Sequence, residues 1–334
     1  IAEALDVEAG EVYFTSGGTE ANNLAIVGAC LAARRQSPER IGIIASTLEH
    51  PSVTKSVRGL KREGWEASYI RAPHGELDFD QLERQLSDRV AVVSVMRVQN
   101  EVGYLFDVSR VANVVHRASP RTLVHSDGVQ AFGKVDFFPK ELGLDMASIC
   151  SHKIGGPQGI GALFVRWGTP VFTTAYGGGQ ERGLRSGTEA VPLAVGFACA
   201  VRLTMARRRE AFVHVQGLKA RLIQGLREIS PDAVLNSRDD GSPYIVSFSV
   251  PGLNDELGLD YFSRCGICVS QASACETLHP NVPAEDWRSK HPTSLLLSGV
   301  SPDLLDSTFR VSFSPRTTAE EVDCFLTTLA ELCA

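Results

Sequence analysis

The chain has 334 residues, 43% of them hydrophobic and 22% charged, with a formal net charge of -6 and a pI near 5.8. That is long enough for one large or two moderate domains with a sizeable core, and the composition is that of a soluble globular protein. The acidic balance excludes a mainly electrostatic nucleic-acid binder, and no apolar run approaches the roughly 20 residues that span a bilayer.

In chain order, the opening "IAEALDV" reads as the middle of a helix, so the chain is expected to be a fragment whose natural start is missing. β-rich runs then alternate with amphipathic ones. "EVYFT", "RIGIIAS", "ASYIRA", "VAVVSVM", "TLVHSD", "MASIC" and "GALFVR" read as strands; "GTEANNLAIVGACLAARRQ", "HPSVTKSVRGLKREG", "DFDQLERQLS" and "DVSRVANVVHRAS" read as helices. Such alternation predicts an α/β fold with a mostly parallel sheet covered on both faces, in a large domain over residues 1–200. Ligands of such sheets gather at the carboxyl ends of the strands. A long helical stretch from about residue 192 leads into a smaller α+β domain, 201–334, holding "YIVSFSV", "GICVSQ", "FRVSFS" and a closing helix "TAEEVDCFLTTLAEL". The polar, proline-rich "TLHPNVPAEDWRSKHPTSLLLSG" reads as a long surface loop, a length that is uncommon without a function.

The eight cysteines are scattered, several of them in apolar segments (Cys30, Cys150, Cys199, Cys333). This is the usage of a reducing compartment, the cytoplasm, where free cysteine packs as a small hydrophobe. Cys265 and Cys268 form a C-x-x-C with no second pair to complete a zinc site; the segment reads as a strand, so packing explains it and no metal is expected.

Three places carry chemistry. In "VYFTSGGTEANNLAI" a strand enters a Ser-Gly-Gly-Thr turn and a helix begins near Thr19. Glycine lets backbone approach a ligand, and free N–H groups at a helix start attract an anion. Neither a Walker A nor a G-x-G-x-x-G pattern occurs, which disfavours those two modes of nucleotide binding. Asp127 ends the run "TLVHSD", where a carboxylate faces a cleft. Lys153 follows "MASIC" directly, at the break into "IGGPQGIG". An acid and a lysine on neighbouring strand ends beside a phosphate cradle are the parts that a pyridoxal phosphate site requires: an amine for a Schiff base, a carboxylate for the pyridine nitrogen, and an anchor for the phosphate.

The chain resembles the cysteine desulfurases, within the class-V aminotransferase branch of fold-type-I pyridoxal phosphate enzymes. The resemblance runs through "FTSGGTEANNLAI", "EHPSV", "QNEVG", "HSDGVQAFGK", "SHKIGGPQGIGALFV", "GGGQERGLRSGTE", "SQASACET" and "FRVSFSPRTTAEEV", in that order. It implies a fold-type-I architecture with a seven-stranded-type sheet and a mobile cysteine loop in the small domain. It also implies roles by position. Lys153 holds the cofactor covalently, Asp127 pairs with the pyridine nitrogen, His50 stacks on the ring and Gln130 bonds the phenolic oxygen. Asn100 sits beside that oxygen and the substrate. Thr19, Ser151 and His152 hold the phosphate with the backbone around Gly18, and Thr188 reaches the phosphate of a partner subunit in a homodimer. Arg310 clamps the substrate carboxylate, and Cys275 takes up sulfur as a persulfide.

The implied reaction converts L-cysteine to L-alanine: Lys153 moves the Cα proton, the Cys275 thiolate attacks the substrate sulfur, and His50 carries a proton at the thiol. The persulfide then serves an acceptor protein. Selenocysteine lyase and another class-V enzyme, such as an aminotransferase, are the alternatives on the same scaffold. The family's N-terminal "LDNAATT"-like segment is absent, the stretch between Cys275 and Arg310 is longer than in housekeeping members, and the chain stops soon after "TTLAELCA".

Overall fold

The computed structural model describes residues 1–271 and 293–334 and divides them into two compact units. The first comprises residues 1–72, 76–98 and 106–208; the second comprises 73–75, 99–105 and the described residues from 209 onward. Asn100 therefore belongs to the second unit.

In the first unit a short helix α1 (Ala2–Leu5) precedes the sheet strands: β1 (Val12–Thr15), β2 (Gly42–Ser46), β3 (Glu66–Ile70), β4 (Val90–Ser94), β5 (Leu123–Asp127), β6 (Met146–Cys150) and β7 (Gly161–Val165). They form a seven-stranded sheet in the order β1-β7-β6-β5-β4-β2-β3. The pairs from β6 across to β3 are parallel, whereas β7 runs antiparallel to both its neighbours. β2, β4, β6 and β7 are buried at every position, so both sheet faces are covered, as parallel strands require. All seven runs read as strands in the sequence are strands here.

The helices between them are α2 (Gly18–Gln36), α3 (Pro51–Arg62), α4 (Phe79–Gln85) and α5 (Val108–Ala118). Local chemistry sets their ends. α2 carries Glu20 in its first turn and Arg34 and Arg35 in its last, matching the helix dipole. It stops at Ser37 (φ -150°), because Pro38 excludes the helical conformation from the residue before it. α4 and α5 are capped by Asp78 and Asp107, whose carboxylates accept the N–H of Gln81 (2.7 Å) and Arg110 (3.0 Å). The exposed edge strand β1 is covered by loop side chains: Phe14 N donates to Glu181 Oε2 (2.9 Å), and Arg182 Nη2 donates to Val12 O (2.6 Å). These bonds hold Glu181 and Arg182 at φ 45° and 55°, conformations unfavourable for residues with a Cβ.

Helix α6 (Val191–Ile229) runs from the first unit into the second. The second unit adds β8 (Val234–Leu235), β9 (Ile245–Ser249), α7 (Asp255–Arg264), α8 (Thr293–Leu297), β10 (Thr308–Ser312) and α9 (Ala319–Cys333). Its three strands form an antiparallel sheet, β10-β9-β8, packed on an aromatic core in which Phe262 stacks on Phe325 (4.9 Å between centroids) and Phe248 on Phe309 (6.0 Å). Thr318 and Glu321 start α9 with reciprocal side-chain-to-backbone bonds.

Three local expectations are corrected. "GICVSQ" is not a strand: after α7 the chain turns and makes only an isolated bridge, Ser270 to Arg310. Cys265 and Cys268 are exposed, so packing does not explain the pair; Cys199 and Cys333 are exposed as well, whereas Cys30 and Cys150 are buried. The far end of the expected long loop is the helix α8. The helix α7 was not anticipated, because "NDELGLDYFSR" carries more polar than apolar residues; the Asn254 cap, which accepts from Leu257 N (3.1 Å), is its start signal.

Candidate functional site

In the first unit, the carboxyl ends of β5 and β6 and the amino ends of α2 and α3 converge. Glycine allows the closest approaches. A Cβ on Gly161 would lie 2.7 Å from the carbonyl carbon of Gly17 and from Ile149 O, and one on Gly18 would lie 2.6 Å from Val129 Cγ2. The start of α2 is thus pressed against the end of β5 and the start of β7. Gly17, at φ 158°, precedes the 19-residue α2, whose first N–H groups are the ordinary free donors of a helix start.

Asp127, the last residue of β5, is 3% exposed. Its Oδ2 accepts from Asn22 Nδ2 (2.6 Å) and its Oδ1 from Val129 N (2.9 Å). Burial pushes its pKa above the usual carboxylate range, opposed by the nearby His50 and by these two donors. A buried carboxyl group held only by neutral donors gains most from a cation.

His50 caps α3: its Nδ1 accepts from Ser52 N (3.1 Å) and lies 2.8 Å from Ser52 Oγ, which receives Asn22 Nδ2 (2.8 Å). Burial lowers the pKa of the imidazole; Asp127 opposes this, while Lys153 and Lys55 add to it. Lys153 itself lies in a short 3-10 turn immediately beyond β6, with Ser151 buried just before it and His152 exposed beside it. Ser151 Oγ is buried without a hydrogen-bond partner among the described residues. Gln130 is half-buried, and its Oε1 accepts from Lys134 Nζ (2.9 Å). Burial, with Lys153 nearby, brings the Lys134 pKa down to about 8. Thr19 is exposed at the start of α2. Thr188 is exposed on the loop before α6 and makes no side-chain hydrogen bond among the described residues.

In the second unit Arg310, on β10, donates from Nη1 to Asn100 O (3.0 Å), and Asn100 is itself buried. Arg310 Nε is buried without a partner, and burial lowers the guanidinium pKa against the attraction of Glu101. A half-buried cation with an unused, buried donor calls for an anion. Glu101 is held in turn by Ser294 Oγ. Cys275 lies outside the described residues. Among the described residues no cluster of metal-ligating side chains occurs and no helix is long and apolar enough to cross a membrane.

Sequence reading missed the residues between the named ones. Asn22 and Asn23 are poor helix formers in an apolar helix, which was the available signal. Lys134 follows Gln130 at the i, i+4 spacing of a helical turn. Glu49 is buried: its Oε1 accepts from Ser46 Oγ (2.5 Å) and Met96 N (2.8 Å), its Oε2 has no partner among the described residues, and burial pushes its pKa up to about 8.

The sequence matches the family described as "Aminotransferase class-V" over residues 1–325. It is 31% identical to the "Cysteine desulfurase IscS" of Clostridium botulinum, covering 99% of this chain and 81% of that protein. The "Cysteine desulfurase IscS" of Vibrio vulnificus is 34% identical over 97% of this chain and 77% of its own length. Among solved structures, a "NifS-like protein" superposes with a TM-score of 0.88 at 31% identity, covering 99% of this chain and 84% of the other.

Proposed function

The chain belongs to the class-V aminotransferase family and, within it, to the cysteine desulfurases, and on that premise we propose that it converts L-cysteine to L-alanine with pyridoxal phosphate as cofactor, passing the sulfur to Cys275. The observation that carries the reading is the strand-end corner of the first unit. A buried carboxyl group on β5 awaiting a cation, an amine just beyond the neighbouring β6, an imidazole at the start of α3 and an unpartnered buried hydroxyl at Ser151 are brought together there. This donor set fits the cofactor. Asp127 suits a protonated ring nitrogen, and Ser151, His152, Thr19 and the backbone around Gly18 suit a phosphate. His50 lies beside Asp127 as a stacking partner would, and Lys153 supplies the amine. Gln130, whose carbonyl oxygen accepts from Lys134, is turned so that its amide N–H can be offered to the phenolic oxygen.

Bound pyridoxal phosphate supplies an electron sink that makes the Cα–H of an attached amino acid acidic. Arg310 and Asn100 receive and orient the substrate carboxylate, the task for which the unused Arg310 Nε is suited. Lys153, once free, takes the Cα proton and later returns one. The Cys275 thiolate attacks the substrate sulfur: a sulfur–sulfur bond forms, the carbon–sulfur bond breaks with its electron pair staying on the substrate carbon, and protonation there gives alanine. Two subunits assemble, with Thr188 of each serving the other's phosphate. The exposed apolar side chains Val191, Val195 and Leu203 on α6 (61–65% exposed) support a covered face. The persulfide is delivered to an acceptor protein, and the enzyme works in the cytoplasm.

The test is alanine release by the cofactor-loaded protein with L-cysteine and a thiol reductant, beside L-selenocysteine as a second substrate. The expected result is alanine from cysteine, reduced about a hundredfold or more in Cys275→Ser while the visible absorption band stays. Alanine only from selenocysteine moves the assignment to a lyase, and turnover unaffected by Cys275→Ser moves it to another class-V reaction.

A further inference from the structure

Asn22 has a place in the site that no reading of its type assigns. One amide nitrogen reaches two groups on different elements: Asp127 Oδ2 at 2.6 Å on β5, and Ser52 Oγ at 2.8 Å in α3. Asn22 is 1% exposed and Ser52 8%, so water does not compete for these bonds. Both amide hydrogens are then committed, and Ser52, accepting from Asn22, has its own hydrogen to give. The acceptor within reach is His50 Nδ1, 2.8 Å away. Ser52 N–H, which can only donate, points at the same nitrogen from 3.1 Å. Two donors converging on one imidazole nitrogen leave it no room for a proton, which must sit on Nε2.

We infer that Asn22 and Ser52 are positioning residues that fix His50 as the Nε2–H tautomer and tie it to Asp127, so that His50 presents a proton rather than a lone pair at its other ring nitrogen. That nitrogen has no hydrogen-bond partner among the described residues, and the charged groups facing the ring are Asp127 on β5, Lys55 on α3 and Lys153 beyond β6. The inference deepens the proposed function, since it assigns His50 the direction of its proton transfer, but it is read from the ring and not from turnover.

The experiment is nitrogen NMR of the full chain, labelled with ¹⁵N-histidine and loaded with cofactor, followed as a function of pH. The neutral His50 ring is expected to carry its proton on Nε2. Deleting the Ser52 hydroxyl (Ser52→Ala) removes the side-chain donor that Nδ1 of the neutral ring accepts, so the His50 midpoint should shift by about half to one pH unit. Ser52→Thr should restore it. Asn22→Ala should move both the His50 midpoint and the pH dependence of the cofactor's visible band, whereas Ser52→Ala should move the first alone. A proton on Nδ1 in the unaltered protein, or a midpoint unmoved in a Ser52→Ala protein of normal melting temperature, overturns the inference. If the protein takes up no cofactor the proposed function fails, and the same ring measurement on the unloaded chain still decides this one.

Discussion

Two charged groups, one in each unit and one of them only half-buried, are held in opposite ways. Asp127 has both carboxylate oxygens bonded by donors of its own unit, Asn22 Nδ2 and Val129 N, and Asn22 is anchored further through Ser52. Among the described residues Arg310 has a single side-chain bond, to the Asn100 carbonyl, and a buried Nε with no partner. A group already oriented by neighbours is suited to a ligand that stays, because no ordering is left to be done when it binds. A guanidinium with spare donors is suited to one that comes and goes. The contrast matches the division between resident cofactor and passing substrate in the proposed reaction.

The largest expected effect removes the resident ligand's attachment. Lys153→Ala should abolish the visible band of the lysine-bound cofactor and cut alanine formation at least about a thousandfold, measured by absorbance and by amino-acid analysis. Arg310→Lys sharpens the contrast from the other side. It keeps the charge but loses the fork, so kcat/KM for L-cysteine should fall by roughly ten- to a hundredfold with the visible band unchanged. A lost band in Arg310→Lys would erase the distinction between the two charges.

A smaller effect is expected where the backbone itself makes room for the first charge. Gly161→Ala places a methyl group against Gly17 and Ile149 O, and should cost about 1–3 kcal/mol in denaturant unfolding and weaken cofactor retention. The smallest concerns Glu49, whose pKa rises from an ordinary 4.5 to about 8 on folding. Between those values the folded state binds a proton that the unfolded state lacks, so this group lowers stability as pH rises from 4.5 to 8. Glu49→Gln keeps the acceptor for Ser46 and Met96. It should leave the melting temperature near unchanged at pH 5 and raise unfolding free energy by about 1 kcal/mol at pH 8.

The sheet was legible because its strands are short apolar runs bounded by turn residues, and parallel strands buried on both faces have no other composition available. The small unit was less so. Val234–Leu235 is too short to show a period, α7 is too mixed in polarity, and "GICVSQ" has strand composition but meets only Ser270 to Arg310 as a bridge. β-propensity expresses itself only where a partner strand lies alongside.

The same division holds within the site. Asp127, Lys153 and the Gly17-Gly18 turn announce themselves locally, each by a residue type that its position at a strand end would not otherwise select. Sequence alone therefore determined the α/β class, the order of the strands in the first unit and the residues with reactive or charged ends. It did not determine that Asn22 spans from Asp127 to Ser52, that Lys134 turns the Gln130 amide, or that Glu49 is buried with an oxygen unpartnered among the described residues. Those are hydrogen bonds between elements or unusual burials of ordinary polar residues. Nothing in the local sequence distinguishes an asparagine that faces water from one that faces a buried carboxylate; only the packing of α2 and α3 against the carboxyl ends of the strands decides it.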